Sequence, residues 1–285
     1  MLNEHVARAR ERLEGAHIAE AALDARLLAQ FVLGWDAARY FTAAGEPPPA
    51  DFLARYEALV TRRAAREPLA YITGDREFWN LSFEVSPAVL IPRPETELIV
   101  EAAIARFPDR GAPLSIADVC TGSGCLAVAL AREYARARVV AADLSGAALD
   151  VAGRNAARHG VADRVRLIAT DLLQGIPDLF DLIVANPPYV SEGDRPALVA
   201  EVREYEPELA LFAGRDGLAV IRRLVEESVE RLVPGGTLIF ELGFWQAPAV
   251  ATLISGRSGL ELVEIRPDLQ GIPRAAIAIR HEASR

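Results

Sequence analysis

The sequence predicts an α/β protein: an open, mostly parallel sheet that ends in an antiparallel hairpin, preceded by a small helical bundle. Three observations predict it. From residue 114 onward, short apolar runs alternate with amphipathic stretches of helical length. The last two runs, 260–265 and 274–279, are joined by 266–273 alone, too short for a crossover helix, so they pair antiparallel. Residues 3–66 show helical spacing only.

The helical part comes first. Val6, Ala9 and Leu13, then Ile18, Ala22, Ala25, Leu28, Phe31 and Val32 recur as one helix face does, with Asp24 and Arg26 expected on the rim of the second helix and Gly34 as its stop. Gly45-Glu46-Pro47-Pro48-Pro49 breaks the pattern, and Phe52, Tyr56, Leu59 and Val60 mark one more helix over 50–66. No cluster here suits catalysis, so partner recognition or covering a cleft is the expected job. Residues 70–90 change register: Tyr71-Ile72-Thr73-Gly74, Glu77-Phe78-Trp79 and Leu81 to Val85 alternate like a hairpin with Asn80 near its turn. The expected domains are therefore 1–70, a hairpin linker 71–90, and 91–285. Ile91-Pro92-Arg93-Pro94-Glu95-Thr96-Glu97 is held extended by its prolines and opens a helix over 98–107. It reads as the lining of a pocket mouth or as a stiff linker with a helix cap. The remaining strands read as 114–119, 138–143, 165–169, 180–185 and 236–242, and the helices as 124–134, 146–159, 217–232 and 246–254.

Composition narrows the function. Apolar residues make up 51% of the 285, enough to bury a full core. The net charge of −9 weighs against a protein that grips a long phosphate backbone. No apolar run reaches membrane-spanning length, and Met1 to His5 do not start a signal peptide. Cys120 and Cys125 match neither a redox nor a zinc spacing and read as reduced packing residues of a cytoplasmic protein, with no metal site. The four histidines, His5, His17, His159 and His281, lie outside the loops that carry the chemistry.

There are two such loops. Between the first parallel strand and its helix lies Asp118-Val119-Cys120-Thr121-Gly122-Ser123-Gly124-Cys125, and Gly122, Gly124 and Ala127 satisfy G-x-G-x-x-[GA]. Asp143 ends the next strand about twenty residues later, where a carboxylate accepts ribose hydroxyls. The pair points to a nucleoside-containing cofactor, NAD or S-adenosylmethionine; a structural tight turn is the plain alternative. Asp118 favours a sulfonium cation over a pyrophosphate. Asp171 is placed to meet an adenine amino group, with Leu172 against the ring, or else to cap a helix.

The second loop is Asn186-Pro187-Pro188-Tyr189, after the apolar strand 180–185. Two prolines end the strand's hydrogen bonding and stiffen the loop itself. Asn186 and the Pro187 carbonyl can each accept one N–H of a planar amide or exocyclic amine, while Tyr189 offers a ring to stack on it. A tight turn after a strand is the plainer reading. Methyl transfer from a sulfonium needs alignment and a usable nitrogen lone pair, not a metal or a covalent intermediate.

With these loops in hand, the chain resembles the peptide chain release factor glutamine methyltransferases, the HemK/PrmC family. The resemblance also rests on Ala25-Arg26-Leu27-Leu28, Arg76-Glu77-Phe78-Trp79, Ile91 to Glu97, Glu206-Pro207, Gly214 to Gly217 and Asp268 to Arg274. It implies a class I S-adenosylmethionine-dependent methyltransferase fold, Rossmann-like with a seven-stranded sheet. It further implies methylation of the side-chain amide of the Gly-Gly-Gln glutamine in class 1 release factors. Cys120, Thr121, Gly122, Ser123, Gly124, Asp143, Leu172 and Asn186 would then meet the cofactor, joined by Asp171 on the placement read above, and Asn186, Pro187, Pro188 and Tyr189 would meet the substrate. A monomer touching neither nucleic acid nor membrane is expected. Cys120 stands where the family commonly has glycine, and Leu172 where some members have an aromatic. Glu201, Glu204, Glu206 and Glu208 read as a solvated helix face, with docking of a basic surface as the alternative. Glu241 reads as a supporting carboxylate near the site or as one merely satisfied at a strand end. Ribosomal-protein glutamine and adenine-N6 DNA methyltransferases remain the nearest rivals; a cofactor-fold adaptor and an NAD dehydrogenase lie further off.

Overall fold

The computed structural model describes residues 1–256 and 259–281. In chain order the elements are α1 (Leu2–Gly15), α2 (Ala21–Leu33), α3 (Ala37–Ala43), α4 (Phe52–Ala64), α5 (Leu69–Thr73), β1 (Asp75–Phe78) and β2 (Leu81–Glu84). A 3₁₀ turn (Pro94–Thr96) leads into α6 (Glu97–Arg106), followed by β3 (Ser115–Val119), α7 (Cys125–Glu133), β4 (Arg138–Asp143), α8 (Gly146–Arg158), β5 (Val165–Ala169) and β6 (Phe180–Ala185). Next come α9 (Ala200–Tyr205), α10 (Ala219–Arg231), β7 (Leu232–Glu241), α11 (Ala247–Ser255), β8 (Leu260–Pro267) and β9 (Pro273–Arg280). The chain falls into two compact units, one of residues 1–75 with 199–205 and the other of 76–198 with 206–285.

In the helical unit, Leu13, Leu28, Phe52, Tyr56 and Val60 form the core. Phe52 and Tyr56 stack at 4.9 Å, and the Tyr56 hydroxyl donates to the Ala25 carbonyl at 2.9 Å. Asp24 is not on a rim. It is buried at 6% exposure and accepts from Arg63 Nε at 2.7 Å. Arg63 on α4 supplies the charge that makes this burial tolerable. Glu201 on α9 takes Arg63 and Arg66 at 3.4 and 3.1 Å, so the glutamate run is not one solvated face. Tyr71-Ile72-Thr73 is helical rather than extended: Pro68 precedes a short helix that Gly74 ends at φ +78°. The hairpin is β1–β2, turning on Trp79 and Asn80, both at positive φ as a two-residue hairpin loop requires.

In the second unit the sheet order is β5-β4-β3-β6-β7-β9-β8. Neighbours from β5 to β7 run parallel, whereas β7–β9 and β9–β8 are antiparallel, as the short link predicted. Parallel strands are covered on both faces, which is why 180–185 is nearly all apolar. One face packs on Ile99, Leu126, Leu130 and Tyr134, the other on Ile221, Leu224, Val225 and Val250. From β3 the order runs outward to β4 and β5 on one side and to β6 and β7 on the other. The switch point therefore lies between β3 and β6, where the crevice at the carboxyl ends opens.

Candidate active site

At the end of β3 the chain turns through three left-handed residues, Cys120 (φ +60°), Gly122 (φ +54°) and Gly124 (φ +78°). A non-glycine residue there costs on the order of 1 kcal/mol, and hydrogen bonds hold the turn. Asp118 Oδ2 accepts from the Thr121 hydroxyl at 2.5 Å and from Ala127 N–H at 3.0 Å. Asp143 Oδ2 accepts from Gly122 N–H and Oδ1 from Ser145 N–H, both at 2.9 Å. A side chain at Gly124 would be strained by its φ of +78° and tight, with a Cβ 3.0 Å from that of Ala152 on α8. Asn155, fully buried on α8, donates to the carbonyls of Ser123 and Glu84 and accepts from Glu84 N–H. It thereby ties the glycine loop to β2. A polar residue on the buried face of a helix was the available signal for Asn155.

The loop opens on a cleft at the carboxyl ends of the strands. Cys120 to Ser123, Asp143, Asp171, Leu172, Asn186 and Pro188 all line it, as do Ala88 to Leu90, Pro92 and Thr96. The stiff segment before α6 is thus part of the wall. Asp171 caps nothing: 172–175 form turns, and its carboxylate pairs with Arg223 at 3.0 Å. Leu172 is buried at φ +53°. Burial pushes both thiols up, that of Cys125 to about 12, so neither is a poised nucleophile.

The Asn-Pro-Pro-Tyr loop is divided. Asn186 and Pro188 line the cleft; Pro187 is buried, and Tyr189 lies off the cleft against the sheet's apolar cluster. Asn186 Nδ2 donates to Thr96 Oγ1 at 3.0 Å, and the Thr96 hydroxyl donates to Glu241 Oε2 at 2.6 Å. The Tyr189 hydroxyl donates to Glu241 Oε1 at 2.9 Å. Glu241 is 2% exposed. Burial pushes its carboxyl up and the two hydroxyls pull it back. Gln246 Nε2 holds the carbonyls of Tyr189 and Gly217 at 3.0 and 3.1 Å. Neither Thr96 nor Gln246 had a local signal for these roles, because their partners are far away in sequence. Glu206 is buried too, accepting from Arg93 at 2.6 Å and from Ile91 N–H at 3.3 Å.

The residues fit a cationic nucleoside cofactor. Asp118 Oδ1 is buried without a hydrogen-bond partner, an orphaned acceptor beneath the loop. Asp143 and Asp171 add carboxylates along the wall, and among the described residues no lysine or arginine lines the cleft. A pyrophosphate would find no counter-charge there.

Sheet order and solved structures define a class I S-adenosylmethionine-dependent methyltransferase fold. The hMettl16 catalytic domain in complex with a MAT2A 3′UTR hairpin superposes with a TM-score of 0.57 at 14% identity, covering 79% of this chain and 82% of that one. The T. thermophilus 16S rRNA N2 G1207 methyltransferase gives 0.51 at 18%, covering 73% and 50%. The family model of the PrmC N-terminal domain matches residues 4–74, and that of the methyltransferase small domain matches 96–203. Release factor glutamine methyltransferases of Cereibacter sphaeroides and Koribacter versatilis are 43% and 41% identical, each over 94% of this chain and 94% of its own length. That of Geobacter sulfurreducens is 45% identical over 90% of this chain and 89% of its own. The chain belongs to the release factor glutamine methyltransferase family.

The packing and the burial each generate an expectation. At Gly217 (φ +69°) a Cβ would lie 2.3 Å from the Tyr189 carbonyl oxygen and 2.8 Å from Gln246 Nε2. Gly217→Ala should therefore lower stability by about 1–3 kcal/mol in denaturant melts; an unchanged midpoint would refute the close packing. Burial raises Asp118 to about 7 from an ordinary 3.8, against the pull of Thr121 and Ala127. The folded chain then keeps a proton that the unfolded chain releases, so this carboxyl costs stability as pH rises from about 4 to about 7. Melts at about pH 5 and about pH 8 should show that slope lessened in Asp118→Asn relative to the unsubstituted protein. Parallel pH profiles would count against it.

Proposed function

We propose that this protein methylates the side-chain amide nitrogen of the glutamine in the Gly-Gly-Gln motif of class 1 peptide chain release factors, using S-adenosylmethionine. One observation carries the reading. The glycine loop with Asp143 and the stiffened Asn186 share one cleft at the carboxyl ends of β3, β4 and β6. Bound there, S-adenosylmethionine would supply an electrophilic methyl group on a sulfonium: the N–C bond forms as the S–C bond breaks, neutral S-adenosyl-L-homocysteine leaves, and one amide proton is released to water.

The chain's own residues do the rest. Cys120 to Gly124 give a backbone cradle, with Gly122 leaving it open: a Cβ there would meet nothing within 4 Å. Asp143 offers its remaining lone pairs to ribose hydroxyls. Asp171 and Leu172, both on the cleft wall, are read as meeting the adenine edge and face. An amide nitrogen is a weak nucleophile because its lone pair is delocalised. Asn186 Oδ1 and the Pro187 carbonyl hold its two N–H groups, so positive charge developing on nitrogen meets acceptors already placed. Proline has no N–H to compete for the site. Tyr189, held on Glu241, is assigned to bracing this loop rather than to stacking on the substrate.

The helical part, 1–70, is read as the recogniser of the protein substrate, 71–90 as the linker and 91–285 as the catalytic domain. Exposed Phe31, Phe41 and Leu53 support a recognition role for the helices. A net charge of −9 supports a protein partner over a nucleic-acid backbone. The reading includes a cytoplasmic monomer acting without membrane contact.

Purified protein with S-adenosylmethionine should add one methyl group to the Gly-Gly-Gln glutamine of a release factor, as read by mass spectrometry of the peptide. Asn186→Ala should lower turnover by about a hundredfold or more while cofactor binding by calorimetry persists. Asp143→Ala should instead weaken cofactor affinity by about tenfold or more. Label found in DNA or in a ribosomal protein, with none in release factor, would overturn the substrate assignment.

A further inference from the structure

We infer that Thr96 and Glu241 fix which way the Asn186 amide faces, and through it make the site select a carboxamide over a carboxylate. The inference rests on the reading of Asn186 as acceptor for the substrate amide. It goes beyond that reading by naming what sets the substrate's functional group.

Asn186 alone does not specify an amide. Its side chain has an acceptor oxygen and a donor nitrogen of nearly the same shape, and either can face the cleft. With the nitrogen outward, the site would bind a carboxylate, which accepts only. The neighbours decide. Glu241 has both oxygens engaged by hydroxyls, Thr96 at 2.6 Å and Tyr189 at 2.9 Å. A hydroxyl carries a single hydrogen. With Glu241 as the ionised acceptor that the Thr96 and Tyr189 hydroxyls favour against its burial, Thr96 commits its hydrogen to it, so toward Asn186 it can only accept. The Asn186 atom 3.0 Å from Thr96 Oγ1 is therefore the nitrogen. The oxygen of the same planar amide points away from Thr96, and among the described residues no protein donor reaches it. Thr96 is 1% exposed, so water does not blur this pattern. A glutamine presents N–H groups to the free oxygen; a glutamate in its place presents oxygen to oxygen and is repelled.

Glu241 does not line the cleft, and Thr96, on its wall, acts through its hydroxyl on Asn186. Both are positioning residues, and they sit 145 positions apart in sequence. Replacing Glu241 by Gln leaves one acceptor and one donor where two acceptors stood. Thr96 can then donate to the Gln oxygen or accept from its nitrogen, so the Asn186 amide is no longer held one way round.

The test uses the full-length enzyme, a release factor with its Gly-Gly-Gln loop, and the same factor carrying Gly-Gly-Glu as a competitive inhibitor. The variants are Thr96→Val, Thr96→Ser and Glu241→Gln. Thr96→Val keeps the shape of the side chain without its hydroxyl, and Thr96→Ser restores the hydroxyl. Thr96→Val and Glu241→Gln should lower kcat by about tenfold or more while calorimetric affinity for S-adenosylmethionine stays within about twofold. Their preference for Gly-Gly-Gln over Gly-Gly-Glu should contract by about tenfold or more. Thr96→Ser should recover most of both. A wild type that methylates glutamine beside a Thr96→Val with unchanged preference would overturn this inference alone. So would loss of activity in Thr96→Val that Thr96→Ser does not recover, because that marks packing and not hydrogen direction. A wild type that leaves the glutamine unmethylated would overturn the underlying reading as well. Should Glu241→Gln not fold, the valine and serine pair decides.

Discussion

A carboxylate at the end of a buried strand must find hydrogen-bond donors or remain a costly unpaired group. Three such groups stand at the carboxyl edge of this sheet: Asp118 near the end of β3, Asp143 closing β4 and Glu241 closing β7. Each takes its donors from a neighbouring loop. Asp118 and Asp143 together hold Thr121, Gly122 and Ala127. Glu241 holds Thr96 and Tyr189. The loops that form the cleft are thus not free to choose their conformations. Satisfying these carboxylates places the left-handed Cys120 and offsets its backbone cost.

The same groups set the character of the cleft. The amino end of α7, just past the glycine loop, would by itself favour an anion. Asp143 beside the loop, and Asp118 beneath it once ionised, reverse that preference. This is the physical difference between a site for a sulfonium nucleoside and one for a dinucleotide built on a similar glycine pattern. At the other end of the cleft, proline removes competing donors, and neutral acceptors replace the charges. On the proposed reading, the cleft passes from a charged end that would take the cofactor to an uncharged end at Asn186 that would take an amide. A carboxylate at the reacting end would bind an ammonium better than an amide and would draw in water.

Much of this was legible in the sequence because it is written in local terms. Apolar runs marked the strands, the short 266–273 link marked the antiparallel pair, and Gly122, Gly124 and Asn186-Pro187-Pro188 marked the loops at the switch point. What escaped depends on partners distant in sequence. Asp24 looked like a rim residue because nothing near it announces Arg63, 39 positions on. Glu206 looked solvated because its partner Arg93 lies 113 positions back. Tyr71 to Thr73 alternate like a strand, yet Pro68 and Gly74 bracket a helical turn. Tyr189 offered a ring to a substrate when read alone, but its hydroxyl is taken by Glu241.

The polarity of the Asn186–Thr96–Glu241–Tyr189 chain is set by the group at its centre. An ionised carboxylate accepts and never donates, whereas hydroxyls and amides can do either. A relay made of ambiguous groups alone has two states of similar energy. One acceptor-only member removes one of them, and each hydrogen's direction is then set outward to the cleft. Burial keeps water from supplying the donor that would restore the other state. Burial alone would raise the Glu241 carboxyl toward its protonated form, and the hydroxyls of Thr96 and Tyr189 oppose that shift; the same two hydrogen bonds thus favour the acceptor-only state on which the pattern depends.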